Sequence, residues 1–266
     1  MSNQGVSHGA VAVSETAGVL TITLNRPERR NALTPEMLDE LTGVLVEASS
    51  SPRTRVVVLT GAGSAFCSGL DLAVLQAMRT MDSAKLDADA QRVSRMFRTL
   101  FELPQPTIAA VNGHAIAGGS GLALFTDFTY AVPDAKFGFT ECRIGFVPAV
   151  VSAYLRMHVS EKCARDLLLS ARLFTAAEAA NMGLVNEVVA PEMLAARVQQ
   201  CAAALISNSP ESIRATKRLL ARQSSAWLDE ALKHAMAANA HARETQDFQE
   251  GVAAFLEKRH PNWNVE

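Results

Sequence analysis

Residues 110–128 read AVNGHAIAGGSGLALFTDF, and they place Gly118, Gly119 and Gly121 directly after a short apolar segment. Glycine costs a helix up to about 1 kcal/mol per residue, so three glycines at the start of an apolar helix need another reason. The apolar run before them is typical of a buried strand, and the run after them predicts a helix. We therefore predict a strand-loop-helix unit whose glycines allow a ligand to approach the backbone closely.

A second segment repeats this arrangement upstream. Residues 55–60, RVVVLT, are typical of a strand buried on both faces, and they lead into the glycine-bearing loop GAGSAFCSGLDL at residues 61–72. In both segments the first N–H groups of the following helix have no partner inside that helix. If the two loops face each other, one N–H from each can hold negative charge that develops on a carbonyl oxygen. A simple turn at each junction is the alternative.

The rest of the chain predicts an α/β core followed by helices. VAVSETAGVLTITLNRP, residues 11–27, predicts a hairpin, and Thr34 with the proline and glutamate after it predicts a helix start. Beyond Pro148 the pattern is helical, except for a short strand at LVNEVV, residues 184–189. We therefore divide the chain into a strand-loop-helix core, residues 1–200, and a helical C-terminal region, residues 201–266.

Composition narrows the classes of function. The formal net charge is only -2, so no global field favours nucleic acid or an anionic membrane, and a bound anion needs a local cluster of positive charge. The apolar runs fall short of the roughly 20 residues of a membrane helix, and the N-terminus lacks a signal-peptide layout, so we expect a cytoplasmic protein. The scattered cysteines form no CxxC pair, which argues against zinc and disulfides and predicts small buried side chains: Cys67, Cys142, Cys163 and Cys201.

Other glycine motifs do not fit the sequence. It contains no GxxxxGK[ST] for a nucleoside triphosphate, and GAGSAF lacks the third glycine of a dinucleotide fingerprint. GGSGL has Leu122 where the GxSxG elbow of serine hydrolases requires glycine. A nucleotide-triphosphate site, a nicotinamide site and a serine nucleophile are therefore not predicted.

Six motifs in a fixed order give the chain a resemblance to a known family. They are LNRPERRNAL (24–33), GAGSAFCSGLDL (61–72), AAVNGHAIAGGSGLAL (109–124), FGFTECRIGFVP (137–148), ARLFTAAEAANMGLVNEVV (171–189) and EGVAAFLEKRHP (250–261). Each motif alone is weak evidence, but six motifs in the same order along the chain argue against a chance similarity. The chain resembles the crotonase superfamily, the enoyl-CoA hydratase/isomerase family of acyl-CoA enzymes. The resemblance implies an α/β fold, a crotonase-type spiral of repeated ββα units with a C-terminal helical region that trimerises.

The resemblance also gives the two glycine loops a specific role. The positions that match the family's oxyanion hole are Leu70 and Gly118, whose N–H groups would hold the thioester oxygen as an enolate forms. Coenzyme A is implied to lie along the matching positions Arg29, Arg30, Ala32, Ser68, Gly69, Asp71, Leu72, Phe255 and Lys258. Asp71 is also placed to cap a helix. The resemblance implies an acyl-CoA ligand, with no metal and no further cofactor, and the composition predicts no nucleic acid and no membrane as partners.

Two departures from the family pattern concern the acyl group. Family hydratases of the best-known type use two glutamates, at the positions matching Gly121 and Glu141, and this sequence keeps only the second. Glu141 is the one acid in GFTECRIG, residues 138–145, a setting that can raise its pKa toward the range useful for general acid-base catalysis. An ion pair with Arg143 is the structural alternative. Ala149-Val150-Val151-Ser152 replaces a glycine-rich GAGG and predicts a more apolar acyl site.

Three functions follow from this pattern. The leading hypothesis is an enoyl-CoA hydratase-type enzyme that adds water reversibly to a 2-enoyl-CoA, with Glu141 as the acid and base. A Δ3,Δ2-enoyl-CoA isomerase of the same fold and a non-catalytic acyl-CoA-binding subunit are the alternatives. The resemblance implies a homotrimer or a dimer of trimers, and five apolar residues of the C-terminal region are expected to pack between subunits: Trp227, Leu228, Leu232, Phe248 and Phe255.

Overall fold

A computed structural model of the protein describes residues 6–263, and its first elements form the predicted hairpin. Strands β2 (Val11–Thr16) and β3 (Val19–Leu24) pair antiparallel around a turn in which Gly18 has φ +81°, and β1 (Val6–His8) pairs antiparallel with β2. Side chains of β3 alternate between buried and half-buried positions, as expected for a strand with one face on the core.

Three strand pairs then wind in the same way, so that the first strand of each pair joins one sheet and the second strand joins another. The pairs are β4 (Val56–Gly61) with β5 (Ala65–Cys67), β6 (Thr107–Val111) with β7 (His114–Ile116), and β8 (Phe128–Ala131) with β9 (Lys136–Gly138). Two further short strands are β10 (Phe174–Thr175) and β11 (Glu187–Val188). Within residues 6–263 the sheets have the orders β1-β2-β3-β4-β6-β8-β11 and β10-β9-β7-β5.

Helices follow the strand pairs and cover the sheets. In the described part of the chain they are α1 (Pro35–Ser50), α2 (Leu72–Met78), α3 (Ser83–Glu102), α4 (Gly118–Leu124), α5 (Ala149–His158), α6 (Glu161–Ser170), α7 (Ala176–Asn181), α8 (Leu194–Ile206), α9 (Pro210–Arg243) and α10 (Gln246–Glu257). The Thr34 side chain caps α1 by accepting a hydrogen bond from the Met37 N–H, as predicted. Short 3₁₀ helices occur at Pro27–Arg29, Glu141–Ile144 and Pro191–Met193. This architecture confirms the predicted α/β spiral of ββα units with a helical C-terminal region.

The core lies between the large sheet and the helices. Strands β4 and β6 are buried almost along their whole length, in agreement with their continuous apolar sequences. The predicted strand at LVNEVV pairs with β8 only through Glu187–Val188, so it is shorter than the apolar pattern suggested. The predicted boundary at residue 200 falls inside α8, and the division into two regions stays a prediction.

Two expectations about side-chain burial need correction. Leu228, Leu232 and Phe248 are buried within the chain itself, because α9 packs against α3 and α5 and α10 folds back onto the 3₁₀ helix at Glu141–Ile144. Only Trp227 and Phe255 stay exposed among the five residues expected to pack between subunits. Of the four cysteines, Cys67 and Cys201 are buried, whereas Cys142 is exposed and Cys163 is half-buried. Among residues 6–263, no helix has both the length and the apolar character needed to cross a membrane.

Candidate active site

The two glycine loops lie against each other. Strands β5 and β7 are parallel neighbours, with Cys67 opposite Ala115, so the loops that follow them leave the same edge of the small sheet. Gly69 has φ +86°, a conformation that favours glycine. A Cβ atom on Gly119 would collide with the carbonyl oxygen of Cys67, so this contact between the loops requires glycine. The glycines therefore bring two backbone segments together, as the sequence predicted for facing loops.

The Leu70 N–H is left unpaired by the hydrogen bonds on either side of it. The Leu33 N–H donates to the Gly69 carbonyl at 2.7 Å, and the Asp71 N–H donates to the Leu33 carbonyl at 2.9 Å. In this parallel bridge Leu33 uses both of its backbone groups, so Leu70 directs its own N–H to the opposite side. No acceptor for the Leu70 N–H is present in the described part of the chain.

The Gly118 N–H is exposed by an unusual backbone conformation. Ala117, which precedes α4, has φ +51° and ψ -122°, and its N–H donates to the Gly138 carbonyl at 2.7 Å. Such a conformation is costly for alanine and is typical of functional sites. Gly118 is the first residue of α4, and its N–H finds no acceptor among residues 6–263. Its position in the first turn also places it at the positive end of the helix dipole.

Both N–H groups belong to residues that line one cavity of about 760 Å³. The same cavity is lined by all the predicted site residues except Gly69 and Lys258. Gly69 uses its carbonyl to hold Leu33, and Lys258 adopts the left-handed conformation that ends α10. The neighbouring Arg259 lines the cavity instead. The structure thus brings the two predicted loops, Glu141 and most of the predicted coenzyme A positions to one place.

Glu141 begins the 3₁₀ helix at Glu141–Ile144, and one of its two carboxyl oxygens has no partner among residues 6–263. Its Oε2 atom is completely buried and makes no hydrogen bond in the described part of the chain. Burial raises the pKa of Glu141 from its ordinary value of 4.5 to about 7, because the charged form is removed from water and gains only its own backbone N–H as a donor. The alternative of an ion pair with Arg143 does not occur among residues 6–263. A carboxyl group with a pKa near neutrality can both accept and return a proton.

The position of the absent first glutamate is filled by apolar side chains. A Cβ atom on Gly121 would lie 2.7 Å from Cζ of Phe97 and 3.0 Å from Cγ1 of Val151. Phe97 comes from α3, and Val151 belongs to the Ala149-Val150-Val151-Ser152 segment that departs from the family pattern. Both side chains line the cavity and are nearly inaccessible to solvent. No side chain larger than hydrogen fits at position 121 without displacing Phe97.

The predicted positive charges Arg29 and Arg30 line the cavity. Arg29 and Arg30 are exposed, and neither forms an ion pair within residues 6–263. Asp71 caps α2 by accepting from the Ala73 N–H at 2.9 Å and also pairs with Arg26 at 3.0 Å, so its capping role is confirmed. Arg259 is held by Glu250 and Glu257, and it offers less free charge than Arg29 and Arg30. The described residues contain no group of His, Cys, Asp and Glu that is arranged to hold a metal ion.

Sequence reasoning missed several residues of the cavity. Phe97 and Val151 were not recognised as the groups that occupy the space beside Gly121. Three buried polar residues, Asp89, Asn239 and Arg243, also line the cavity and were not predicted. A signal was present in the sequence, because Asn239 and Arg243 are four residues apart and share the face of α9 that carries Leu228, Leu232 and Ala235.

Comparisons with known proteins agree with this site. The enoyl-CoA hydratase/isomerase family model matches residues 14–266. A Thermus thermophilus protein provisionally named an enoyl-CoA hydratase is 42% identical over 249 residues, which cover 94% of this chain and 98% of that protein. The crotonyl-CoA hydratase of Syntrophomonas wolfei is 34% identical over 242 residues, which cover 90% of this chain and 92% of that protein.

Solved structures give the same result for the fold. The crystal structure of an enoyl-CoA hydratase/isomerase from Xanthobacter autotrophicus Py2 matches with a TM-score of 0.88 at 30% sequence identity, covering 97% of this chain and 100% of that chain. Almost the whole length of both chains is aligned in this match. By sequence and by fold, this chain belongs to the enoyl-CoA hydratase/isomerase family of the crotonase superfamily.

Proposed function

We propose that the protein is an enoyl-CoA hydratase-type enzyme that adds water reversibly across the double bond of a 2-enoyl-CoA. The observation that carries the proposal is the unpaired Glu141 carboxyl group in the same cavity as the unpaired N–H groups of Leu70 and Gly118. A buried carboxyl and two free donors each cost stability unless a ligand uses them. The hydratase names of the Syntrophomonas and Thermus relatives also support this function.

In the proposed mechanism, the thioester oxygen accepts hydrogen bonds from the N–H groups of Leu70 and Gly118. The ionised Glu141 carboxylate removes a proton from water as the water oxygen bonds to the β carbon. The electrons of the double bond move onto the thioester oxygen, where the two donors stabilise the enolate. Protonated Glu141 then gives its proton to the α carbon. Glu141 is ionised at the start and at the end of the cycle, and the product contains both the hydroxyl group and the proton of the water molecule.

Coenzyme A would enter on the side of Arg29 and Arg30, whose charges are free to meet its phosphates. Ala32, Ser68, Leu72 and Phe255 line the same cavity and would contact the nucleotide and pantetheine portions. Coenzyme A is part of the substrate, and the proposed reaction uses no metal and no other cofactor.

The isomerase is a second candidate, favoured by one observation. Position 121 is glycine, so the first of the two glutamates of the best-known hydratases is absent there, and an isomerase needs only one base, because Glu141 can remove a proton from the α carbon of a 3-enoyl-CoA and return it to the γ carbon. The enolate would be held by the same two N–H groups.

The two reactions are separated by incubating the protein with 2-enoyl-CoA and 3-enoyl-CoA thioesters in ¹⁸O-labelled water and reading the products by mass spectrometry. A hydratase gives a product with ¹⁸O on the β carbon. Movement of the double bond without ¹⁸O would assign the protein as the isomerase. Binding of the thioesters with no reaction would favour the non-catalytic acyl-CoA-binding subunit and overturn both.

We further propose that the protein assembles as a homotrimer or a dimer of trimers in the cytoplasm. Helix α9 leaves Leu219, Leu220 and Trp227 exposed, and large apolar side chains grouped on one helix are typical of a buried contact between subunits. Sedimentation velocity tests the assembly: a monomer at micromolar concentration would contradict it.

A further inference from the structure

A polar cluster lies inside the cavity, away from the groups that the proposed mechanism uses. It consists of Asp89 on α3 and of Asn239 and Arg243 on α9, which are 5%, 6% and 4% exposed. All three line the same cavity as Glu141, Leu70 and Gly118. Charged and amide side chains are rarely buried to this extent unless they are fully paired.

Arg243 is only partly paired. One terminal nitrogen donates to the Leu86 carbonyl at 2.8 Å, and the other donates to Asp89 at 3.1 Å. The guanidinium also lies over the ring of Phe146, with 5.3 Å between the guanidinium carbon and the ring centre. These contacts fix the side chain, yet its Nε atom is buried and has no hydrogen-bond partner among residues 6–263. One donor of a well-anchored arginine is therefore unused.

Asn239 has no hydrogen-bond partner at all within residues 6–263. Its Oδ1 atom is completely buried and unpaired, and no partner is present for its amide nitrogen. One turn of α9 separates it from Arg243, so both side chains lie on one helix face. The pair offers N–H donors from both residues and an amide oxygen as an acceptor. These groups match a ligand oxygen, which can accept from both residues.

The distance along α3 places this cluster away from the part of the cavity near Gly118, where the thioester oxygen is proposed to bind. Asp89 and Phe97 are eight residues apart, which corresponds to about 12 Å of helix. Phe97 packs against Gly121, in the same short helix as the oxyanion residue Gly118. Ala90, Val93 and Met96 line the cavity between those two levels. An acyl chain that starts at the oxyanion loops would thus cross an apolar stretch before it meets the polar cluster.

The charges of the cluster favour a neutral oxygen over a carboxylate. The charge of Arg243 is already balanced by Asp89 at 3.1 Å. Arg92 lies 3.9 Å from Asp89, but it is itself paired with Asp39 at 3.0 Å. A carboxylate would therefore lose its hydration in a site that has no free positive charge to compensate it. A hydroxyl or a carbonyl loses less hydration and can use the same donors.

We propose that the acyl group of the substrate carries a neutral oxygen, a hydroxyl or a carbonyl, remote from the thioester, and that Arg243 and Asn239 bind it. This inference rests on the proposed function, because it takes the cavity to be the acyl-CoA site. It adds the class of acyl group: a chain that is apolar next to the thioester and carries a hydroxyl or carbonyl oxygen farther along.

The test measures binding, so that it does not depend on turnover. Saturated acyl-CoA thioesters of increasing length, which cannot be hydrated, are compared by calorimetry as pairs that differ only in a terminal methyl or a terminal hydroxyl. At the length that reaches the cluster, the hydroxyl member is expected to bind about tenfold more tightly. Asn239→Leu should remove most of this preference. Asn181→Leu, at an exposed asparagine whose side chain makes no hydrogen bond to the described residues 6–263, should leave it unchanged.

Four results would overturn the inference. The first is equal binding of the hydroxyl and methyl members at every length, which would mean that water satisfies the cluster; it can be read on the unmodified protein even if Asn239→Leu fails to fold. The second is a hydroxyl preference that Asn239→Leu leaves intact. The third is tighter binding of a terminal carboxylate than of a hydroxyl. The fourth is a loss of affinity in Asn239→Leu that is equal for acetyl-CoA and for thioesters with longer acyl chains, which would place the cluster beside the pantetheine.

The failure of this inference is distinguishable from failure of the proposed function. A protein that hydrates no 2-enoyl-CoA but shows the hydroxyl preference would retain the polar subsite and lose the hydratase assignment. A protein that incorporates ¹⁸O but shows no preference for the hydroxyl member would keep the hydratase assignment and lose the polar subsite.

Discussion

One cavity has two walls of different character, a wall formed by Glu141 and a wall formed by Phe97 and Val151, which pack against Gly121. On one wall, the 3₁₀ helix at Glu141–Ile144 holds a carboxyl oxygen that is buried and unpaired. On the other wall, α4 places Gly121 against Phe97 and Val151 so tightly that a single methyl group would clash. Position 141 thus carries a carboxyl group, whereas position 121 is a glycine packed against apolar side chains.

The difference shows how chemistry and stability are distributed in this site. The Gly121 wall is packed as densely as a protein core, where each gap is filled and each added atom is costly. The Glu141 wall keeps a group whose burial is unfavourable for the folded state. Such a cost is expected where a group acts on a ligand. The following predictions test whether the two walls differ in this way.

The largest expected effect is the loss of activity in Glu141→Gln. The amide has nearly the same shape but cannot take up a proton, so turnover of the enoyl-CoA should fall by about 10²- to 10⁴-fold. Binding of saturated acyl-CoA should stay within a few fold. Glu36→Gln, at an exposed glutamate in the first turn of α1, is the matched control and should leave turnover unchanged. Turnover within threefold of the unmodified protein in Glu141→Gln would show that the carboxyl wall is not the reactive one.

The second prediction concerns pH. Because the ionised form of Glu141 starts the proposed cycle and its pKa is about 7, kcat/KM should fall about tenfold per pH unit below neutrality and level off above it. The residual activity of Glu141→Gln should lack this limb. A profile that stays flat from pH 5 to pH 8 at constant ionic strength would contradict a role for a buried carboxylate.

The third prediction tests the packed wall. Gly121→Ala should lower the free energy of unfolding by about 1–3 kcal/mol, because its methyl group must displace Phe97 or Val151. Gly43→Ala, inside α1 with nothing near its Cβ position, should instead raise stability by about 0.5–1 kcal/mol. Urea denaturation measures both. Phe97→Leu should relieve the Gly121→Ala cost in the double variant, and strictly additive effects would argue against the clash.

The smallest expected effect is a gain of stability in Glu141→Gln. The pKa of Glu141 is raised in the folded state, so folding favours its neutral form, and stability decreases as pH rises from about 4.5 to about 7. This loss is at most about 3 kcal/mol, and Glu141→Gln removes it but leaves a buried amide without a partner, so the variant should be more stable than the unmodified protein by about 1–2 kcal/mol above pH 7. Below pH 4 the two proteins should unfold alike. A variant that is less stable above pH 7 would mean that the carboxylate has a stabilising partner in solution.

Much of the fold could be predicted from the sequence, because local patterns determine it. The hairpin, the Thr34 cap and the buried strands β4 and β6 each depend on residues that are near one another in the chain. The facing glycine loops could be anticipated for the same reason, since each follows a strand of recognisable pattern. Family resemblance added the pairing of Leu70 with Gly118.

The rest of the site depends on contacts that sequence spacing does not reveal. Phe97 and Val151 meet Gly121 from two other helices, so the filled position could be recognised only after folding. The cluster of Asp89, Asn239 and Arg243 joins α3 to α9 across about 150 residues of sequence. Burial of Leu228, Leu232 and Phe248 within the chain likewise required the packing of α9 and α10, which apolar periodicity alone does not assign to a partner.

The most direct test of the central claim is exchange of the α hydrogen of a saturated acyl-CoA in heavy water, followed by mass spectrometry. If the Leu70 and Gly118 N–H groups hold an enolate and Glu141 moves its proton, the unmodified protein should exchange this hydrogen for deuterium, whether it acts as a hydratase or an isomerase. Glu141→Gln should bind the same thioester and exchange it at least a hundredfold more slowly, by about the contribution of a general base. Equal exchange by both proteins would contradict the account.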